Sequence, residues 1–172
     1  MKKINKDVQQ QLQSFSKKLP HLPDGRIDYS KSDIAPVITV FITYKNKFLL
    51  FKRSTKVATY KKKWNTVAGY LDNPKQNIFE KILEELREEI HISKNQISSY
   101  SIGKKYQFTD EDNNKTWIVY PTIVSLTEKP AIRLNWEHTD YTWITIDELQ
   151  NYETVPNLKK SIKRAITPVK DK

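Results

Sequence analysis

The chain has 172 residues, no cysteine and a formal net charge of +10. That length gives one domain with a proper core, and the missing thiols exclude disulfides, cysteine nucleophiles and thiolate metal sites, which fits a cytoplasmic protein. No apolar run reaches the length of a membrane span, the opening MKKINKDVQQQ has no secretory core, and the positive charge favours phosphates, nucleotides or nucleic acid as partners.

Asn5 to Leu19 reads as an amphipathic helix, with Ile4, Val8, Leu12, Phe15 and Leu19 at spacings of four, four, three and four. Pro20 and Pro23 close it. The run APVITVFITYKNKFLLFKRS then takes strand character. Val37 to Ile42 form one strand, Lys45-Asn46-Lys47 a turn, and Phe48 to Lys52 a second strand. A long irregular connection follows, with a short strand near Thr66–Ala68; a loop of that length inside a compact domain tends to carry function.

The stretch NIFEKILEELREEIHI, residues 77–92, comes next as a helix. At about 100° per residue, Ile78, Phe79, Ile82, Leu83, Leu86 and Ile90 share one arc of about 140°, the core-facing stripe. Glu89 falls inside that arc, Glu85 just beyond its edge and Glu88 further round the same side, while Glu80 and Glu84 face away. Like charges at these spacings repel and partial burial adds cost. A hard divalent cation reverses the sign, because it wants clustered oxygens. A glutamate-rich solvated face is the competing account of the same string.

Beyond Ile92, SYSIGKKYQFTD and NKTWIVYPTIVSLTE read as strands joined by the hairpin EDNN. DYTWITI is a further strand. Thr145 and Glu148 have capping-box spacing at the start of a helix, and PNLKKSIKRAI is a last helix opened by Pro156. The sum is a mixed sheet with helices on its faces and an added N-terminal helix.

This order of elements, with EELREEIHI at its centre, resembles the Nudix hydrolase family. The family motif is Gly, any five, Glu, any seven, Arg-Glu-apolar-any-Glu-Glu-any-Gly-apolar. Glu85, Leu86, Glu88, Glu89 and Ile92 fill its Glu, apolar, Glu, Glu and apolar places. FLLFKRS, WNTVAGYLD and NWEHTDYTWITIDEL resemble flanking segments of members. Tyr70 stands at the motif's first glycine, Gln76 at its isolated glutamate, Glu84 at its arginine and His91 at its late glycine. In the family that arginine orients the metal-binding glutamates.

The resemblance implies an α/β fold, a Nudix-type α/β/α sandwich on a central mixed sheet. Residues 1–34 are then an N-terminal helix and connector and residues 35–168 the Nudix domain. It implies hydrolysis of a pyrophosphate bond in a nucleoside diphosphate linked to another moiety. Mg²⁺ or Mn²⁺ would sit on Glu85, Glu88 and Glu89, with Glu137 as the late-loop acid that completes the cluster. Arg53, at the end of the second strand, is a candidate phosphate fork, and Gly69, Tyr60 and Trp64 are further candidate substrate contacts. Tyr106, Trp117 and Trp143 join Tyr60 and Trp64 as possible base-stacking residues. Lys61–Lys63 can steer an anion, and His138 can serve as acid or base.

Two further readings stand beside this one. The departures at Gln76, Glu84 and His91 fit a Nudix-fold module that binds a nucleotide or metabolite with little turnover. The charge alone would suit RNA, but no RNA-binding motif accompanies it. The partner expected is therefore a small phosphorylated molecule, with no membrane, and the resemblance admits a homodimer.

Overall fold

The computed structural model describes residues 2–167, so the expected domain end at 168 lies outside the described residues. Helix α1 is Lys2–Ser16, followed by strands β1 (Ile34–Tyr44), β2 (Lys47–Arg53), β3 (Trp64–Asn65) and β4 (Val67–Tyr70). Helix α2 is Ile78–Ile90. Strands β5 (Ile97–Ile102), β6 (Tyr106–Asp110), β7 (Lys115–Leu126) and β8 (His138–Ile144) follow, then a short 3-10 turn over Asp147–Asn151 and helix α3 (Leu158–Ala165).

The β-branched run of β1 makes it the centre of the sheet. Along one edge β1 pairs in parallel with β7, Ile34 opposite Thr116 through Thr43 opposite Ser125. Its other edge is shared: β4 takes Val37 to Val40 and β2 takes Thr43 and Tyr44, both antiparallel. The hairpin between β1 and β2 turns on Lys45 and Asn46, both with positive φ, the two-residue arrangement that matches strand twist. β7 carries β6 and β5 on its far edge, and β2 carries β8.

Alternation along β1 sends Ile38, Val40 and Ile42 to one face and Phe41 to the other. The first face packs under α2, through Ile78, Ile82, Leu86 and Ile90, and under α1, through the buried Val8 and Leu12. The second packs under α3, through Leu158, Ile162 and Ala165. The expected helices on both faces are present.

Several boundaries differ from the sequence reading, and four of the differences are informative. α1 ends at Ser16 rather than Leu19, because the Lys18 amide turns to the Phe15 carbonyl and tightens the last turn. SYSIGKKYQFTD is two strands: Gly103 lies where an added Cβ would be 2.1 Å from the Arg164 carbonyl oxygen, a close approach to α3 that breaks the run. The short strand expected near Thr66–Ala68 is two strands, Trp64–Asn65 beside β2 and Val67–Tyr70 beside β1. Thr145 and Glu148 do bond, the Thr145 amide donating to the Glu148 carboxylate at 2.7 Å, but the turn they open is 3-10 and only Asp147–Asn151 long.

Candidate active site

Helix α2 begins with a full capping box. The Glu80 amide donates to the Asn77 side chain at 3.0 Å, and the Asn77 amide donates to the Glu80 carboxylate at 2.9 Å. The helix ends at His91, which takes the left-handed conformation with φ 60° and ψ 28°. Between these caps the apolar stripe fixes the rotation, and the three glutamates fall as their spacing requires. Glu89 is buried at 4% exposure, Glu85 is nearly so and Glu88 is exposed.

Glu84 departs from expectation. It is not a free solvated acid: the Gln76 side-chain amide donates to it at 2.6 Å and the Lys81 ammonium at 2.6 Å. Lys81 is the residue that the sequence reading passed over. It is 3% exposed, and its Nζ also lies 2.8 Å from Glu85 and 3.8 Å from Asp72. Burial works against its charge, but Glu85, Glu84 and Asp72 outweigh burial and hold its pKa up to about 12. Asp72 in turn meets Arg26 at 3.4 Å, which ties the connector after α1 to this cluster.

The loop before β8 is fastened to the end of α2. The Asn135 amide donates to the Glu89 carbonyl at 3.2 Å, and its side chain donates to the Glu88 carbonyl at 3.4 Å. This brings Glu137 towards the helix glutamates. The Glu89 carboxyl is pushed well above the usual range, first by burial and then by Glu85 and Glu137. Burial also raises Glu137, with Arg53 opposing it, and raises Glu85, with Lys81 opposing.

A register shift between Lys52 and Arg53 sets Arg53 opposite His138 in the β2–β8 pair. Arg53 is part-buried, not a free surface cation. Its Nε donates to the Thr59 carbonyl at 3.1 Å, fastening the long loop. His138 is buried with its Nε2 3.5 Å from Glu89. Burial, and then Arg53, lowers its pKa to about 4, so the ring is neutral at physiological pH.

Gly69 carries the Glu85 carboxylate on one side and borders a cavity of about 180 Å³ on the α3 face of the sheet. Arg53 borders the same cavity. So do Tyr60, Tyr106 and Trp117, together with Phe108 and Tyr70, which the sequence reading did not single out as stacking residues. The Tyr60 hydroxyl donates to Asp110, leaving its ring to the cavity. Trp64 and Trp143 lie elsewhere. Trp64 packs edge-on against Tyr152, ring centres 5.2 Å apart, and Trp143 packs on the α1/α2 core. Lys61 and Lys62 are exposed, while Lys63 pairs with Glu153 at 3.1 Å.

Among the described residues no three acidic or histidine side chains are gathered tightly enough to hold a metal ion as they stand. The donor set nevertheless suits a hard divalent cation in kind. It is all oxygen, and two buried carboxyls, Glu85 and Glu89, repel each other. Among the described residues no lysine or arginine forms an ion pair with Glu88, Glu89 or Glu137. A cation there would offset carboxylate charge that Arg53 and Lys81 balance only in part.

The family follows from comparison. The NUDIX domain model matches residues 32–165, and the chain belongs to that family. Solved structures agree in fold. A MutT protein from Methanosarcina mazei Go1 is 23% identical with a TM-score of 0.63, covering 78% of this chain and 94% of its own. A C. elegans Ap4A hydrolase is 16% identical with a TM-score of 0.56, over 76% of this chain and 93% of its own. A bifunctional NMN adenylyltransferase/ADP ribose pyrophosphatase from Francisella tularensis, complexed with AMP and a Mn ion, is 16% identical with a TM-score of 0.63, over 93% of this chain and 46% of its own. No curated protein sequence matches the chain significantly. Among the described residues no helix is long and apolar enough to cross a membrane.

Proposed function

We propose that the chain hydrolyses a pyrophosphate bond in a nucleoside diphosphate linked to another moiety. The observation that carries this is the position of Arg53 and Gly69. Both border the aromatic cavity, and Gly69 also abuts the Glu85 carboxylate while Arg53 faces Glu137. A base held among Tyr60, Tyr106 and Trp117 would therefore extend its phosphates past Gly69 to the glutamates. The Ap4A hydrolase and ADP ribose pyrophosphatase among the structural neighbours are enzymes of this class of substrate.

Glu85, Glu88, Glu89 and Glu137 are the residues that would hold Mg²⁺ or Mn²⁺. When bound, the ion neutralises phosphate charge and acidifies water. Arg53 would fork onto a phosphate oxygen. Glu137, whose pKa burial raises, suits the role of base that takes the proton of the attacking water. The water oxygen bonds to phosphorus and the bridging P–O bond breaks.

The test is phosphate release from a panel of nucleoside diphosphate derivatives, coupled to a phosphatase, with and without Mg²⁺ or Mn²⁺. Metal-dependent turnover that disappears in Glu88→Gln and Glu89→Gln, with circular dichroism unchanged, supports the reading. Full turnover in both variants removes the site assignment. The second reading, a nucleotide-binding module, is favoured by Glu84 at the motif's arginine. It predicts silence across the panel while nucleotides still raise the melting temperature.

A further inference from the structure

Lys81 lies on the buried shoulder of α2, one turn before Glu85 and three residues before Glu84, and its ammonium reaches both. A lysine almost never lies this deep without paired acids. Here three acids surround it: Glu84 at 2.6 Å, Glu85 at 2.8 Å and Asp72 at 3.8 Å. Two other positions changed character around it. The motif's isolated acid is the amide Gln76, and the motif's arginine is the acid Glu84, and these two bond to each other at 2.6 Å. Where the motif carries a cation, position 84 carries an anion here, and a cation reaches the same cluster from one turn earlier on the same helix.

We infer that Lys81 is the positioning residue for Glu85, a relocated cation that does from position 81 what the motif assigns to position 84. Its short contact with Glu85 Oε1 holds one carboxylate oxygen against Gly69. Glu84 serves as a second tether for the ammonium and Gln76 as the donor that fixes Glu84. Asp72, held from its far side by Arg26 at 3.4 Å, limits the ammonium's travel towards the connector. Lys81 itself touches no substrate in this scheme; it acts through Glu85. The inference rests on the proposed metal-dependent site, because an oriented Glu85 matters to a ligand only if Glu85 is a ligand-binding group.

The experiment compares wild type with Lys81→Met, Glu84→Arg and the double variant Lys81→Met/Glu84→Arg. Mn²⁺ is titrated into each, and free Mn²⁺ is read by electron paramagnetic resonance, which needs no turnover. Residues that orient a ligand typically contribute about 10–100-fold to metal affinity. Lys81→Met is expected to lose affinity within that range. The double variant, which returns a cation to position 84, is expected to recover most of the loss. Glu84→Arg alone is expected to bind worse than the double variant, because two cations then crowd one acid. Recovery by a cation placed elsewhere in the cluster is not what a merely structural lysine would give.

Binding unchanged or tightened in Lys81→Met overturns the inference, since the ammonium would then be a bystander or a competitor of the ion. If Lys81→Met does not fold, the double variant decides: folded protein with near wild-type affinity supports the inference, and unfolded or non-binding protein overturns it. Wild-type protein that binds no Mn²⁺ overturns the proposed function and this inference with it, whereas wild-type binding that Lys81→Met leaves intact overturns the inference alone.

Discussion

The Glu85 carboxylate lies directly over Gly69: a Cβ added to that glycine would fall 1.9 Å from Glu85 Oε1. β4 thus presents a bare backbone where a carboxylate must come close. The offending atoms are the far end of a side chain, but that end is held by Lys81. Gly69→Ala should therefore displace the carboxylate more than the strand. The expected outcome is an intact fold, a stability loss of about 1–3 kcal/mol, and a fall in turnover larger than that loss explains. Parallel urea melts and assays of the purified variant check it. Full turnover would mean that the position of Glu85 is not critical.

α1 is part of the core. Val8 and Leu12 are each 1% exposed, and the Tyr120 hydroxyl donates to Gln11 at 2.7 Å. Leu12→Ala is expected to cost about 2–5 kcal/mol, the usual range for a buried leucine. Thermal unfolding would show a fall of about 2–4 °C for each kcal/mol. A change under 0.5 kcal/mol, about what surface substitutions give, would contradict this packing.

His91 closes α2 with φ 60°, a conformation that costs a side chain about 1–2 kcal/mol and costs glycine little. His91→Gly gives up one contact, between the ring Nδ1 and the Arg133 carbonyl at 3.3 Å, and relieves that cost. The expected net gain is at most about 1 kcal/mol, read as a higher melting temperature. Loss of stability would show that the contact to Arg133 outweighs the strain.

His138 is neutral in the fold because burial, then Arg53, depress its pKa to about 4. A histidine in the unfolded chain titrates near 6.5. Between those values the unfolded state binds the extra proton, so this residue's contribution is present above the upper value and is lost as pH falls through the window. Glu89, whose folded pKa is raised by burial, acts with the opposite sign. The histidine's part is therefore isolated by comparing wild type with His138→Gln from pH 7 to about pH 4. The difference in stability between the two is expected to shrink as pH falls, and the His138 ring resonance to stay in its neutral position until about pH 4.

What the sequence made legible was whatever one local period controls. The stripe of α2 places Glu85, Glu88 and Glu89 on one shoulder without any knowledge of what lies above them. The EDNN hairpin follows from local chemistry in the same way. What stayed hidden depends on distant partners. Lys81 is an ordinary helix-surface lysine by period; only the proximity of Asp72, and the drawing inwards of Glu84 by Gln76, bury it. The one available signal was its spacing of three and four residues from Glu84 and Glu85, the arrangement that favours ion pairs. Likewise, Gly103 divides β5 from β6 because of the α3 carbonyl it meets, and the aromatic wall of the cavity forms only when β6 and β7 are set beside β4 and α3. Trp64 and Trp143 carry the same composition signal as Trp117, and sheet pairing alone decides which ring reaches the cavity.

The parallel β1–β7 pairing carries a kinetic consequence. Its partners, from Ile34 with Thr116 onwards, are separated by the whole span that contains α2 and five other strands. Pairing so distant closes a large loop before any contact rewards it, which slows folding. During synthesis β1 would leave the ribosome long before β7 and wait with one edge unpaired. α1 and α2 can already cover its apolar face in that interval. An early helix that covers a waiting strand's apolar face lowers the chance of hydrophobic association between nascent chains.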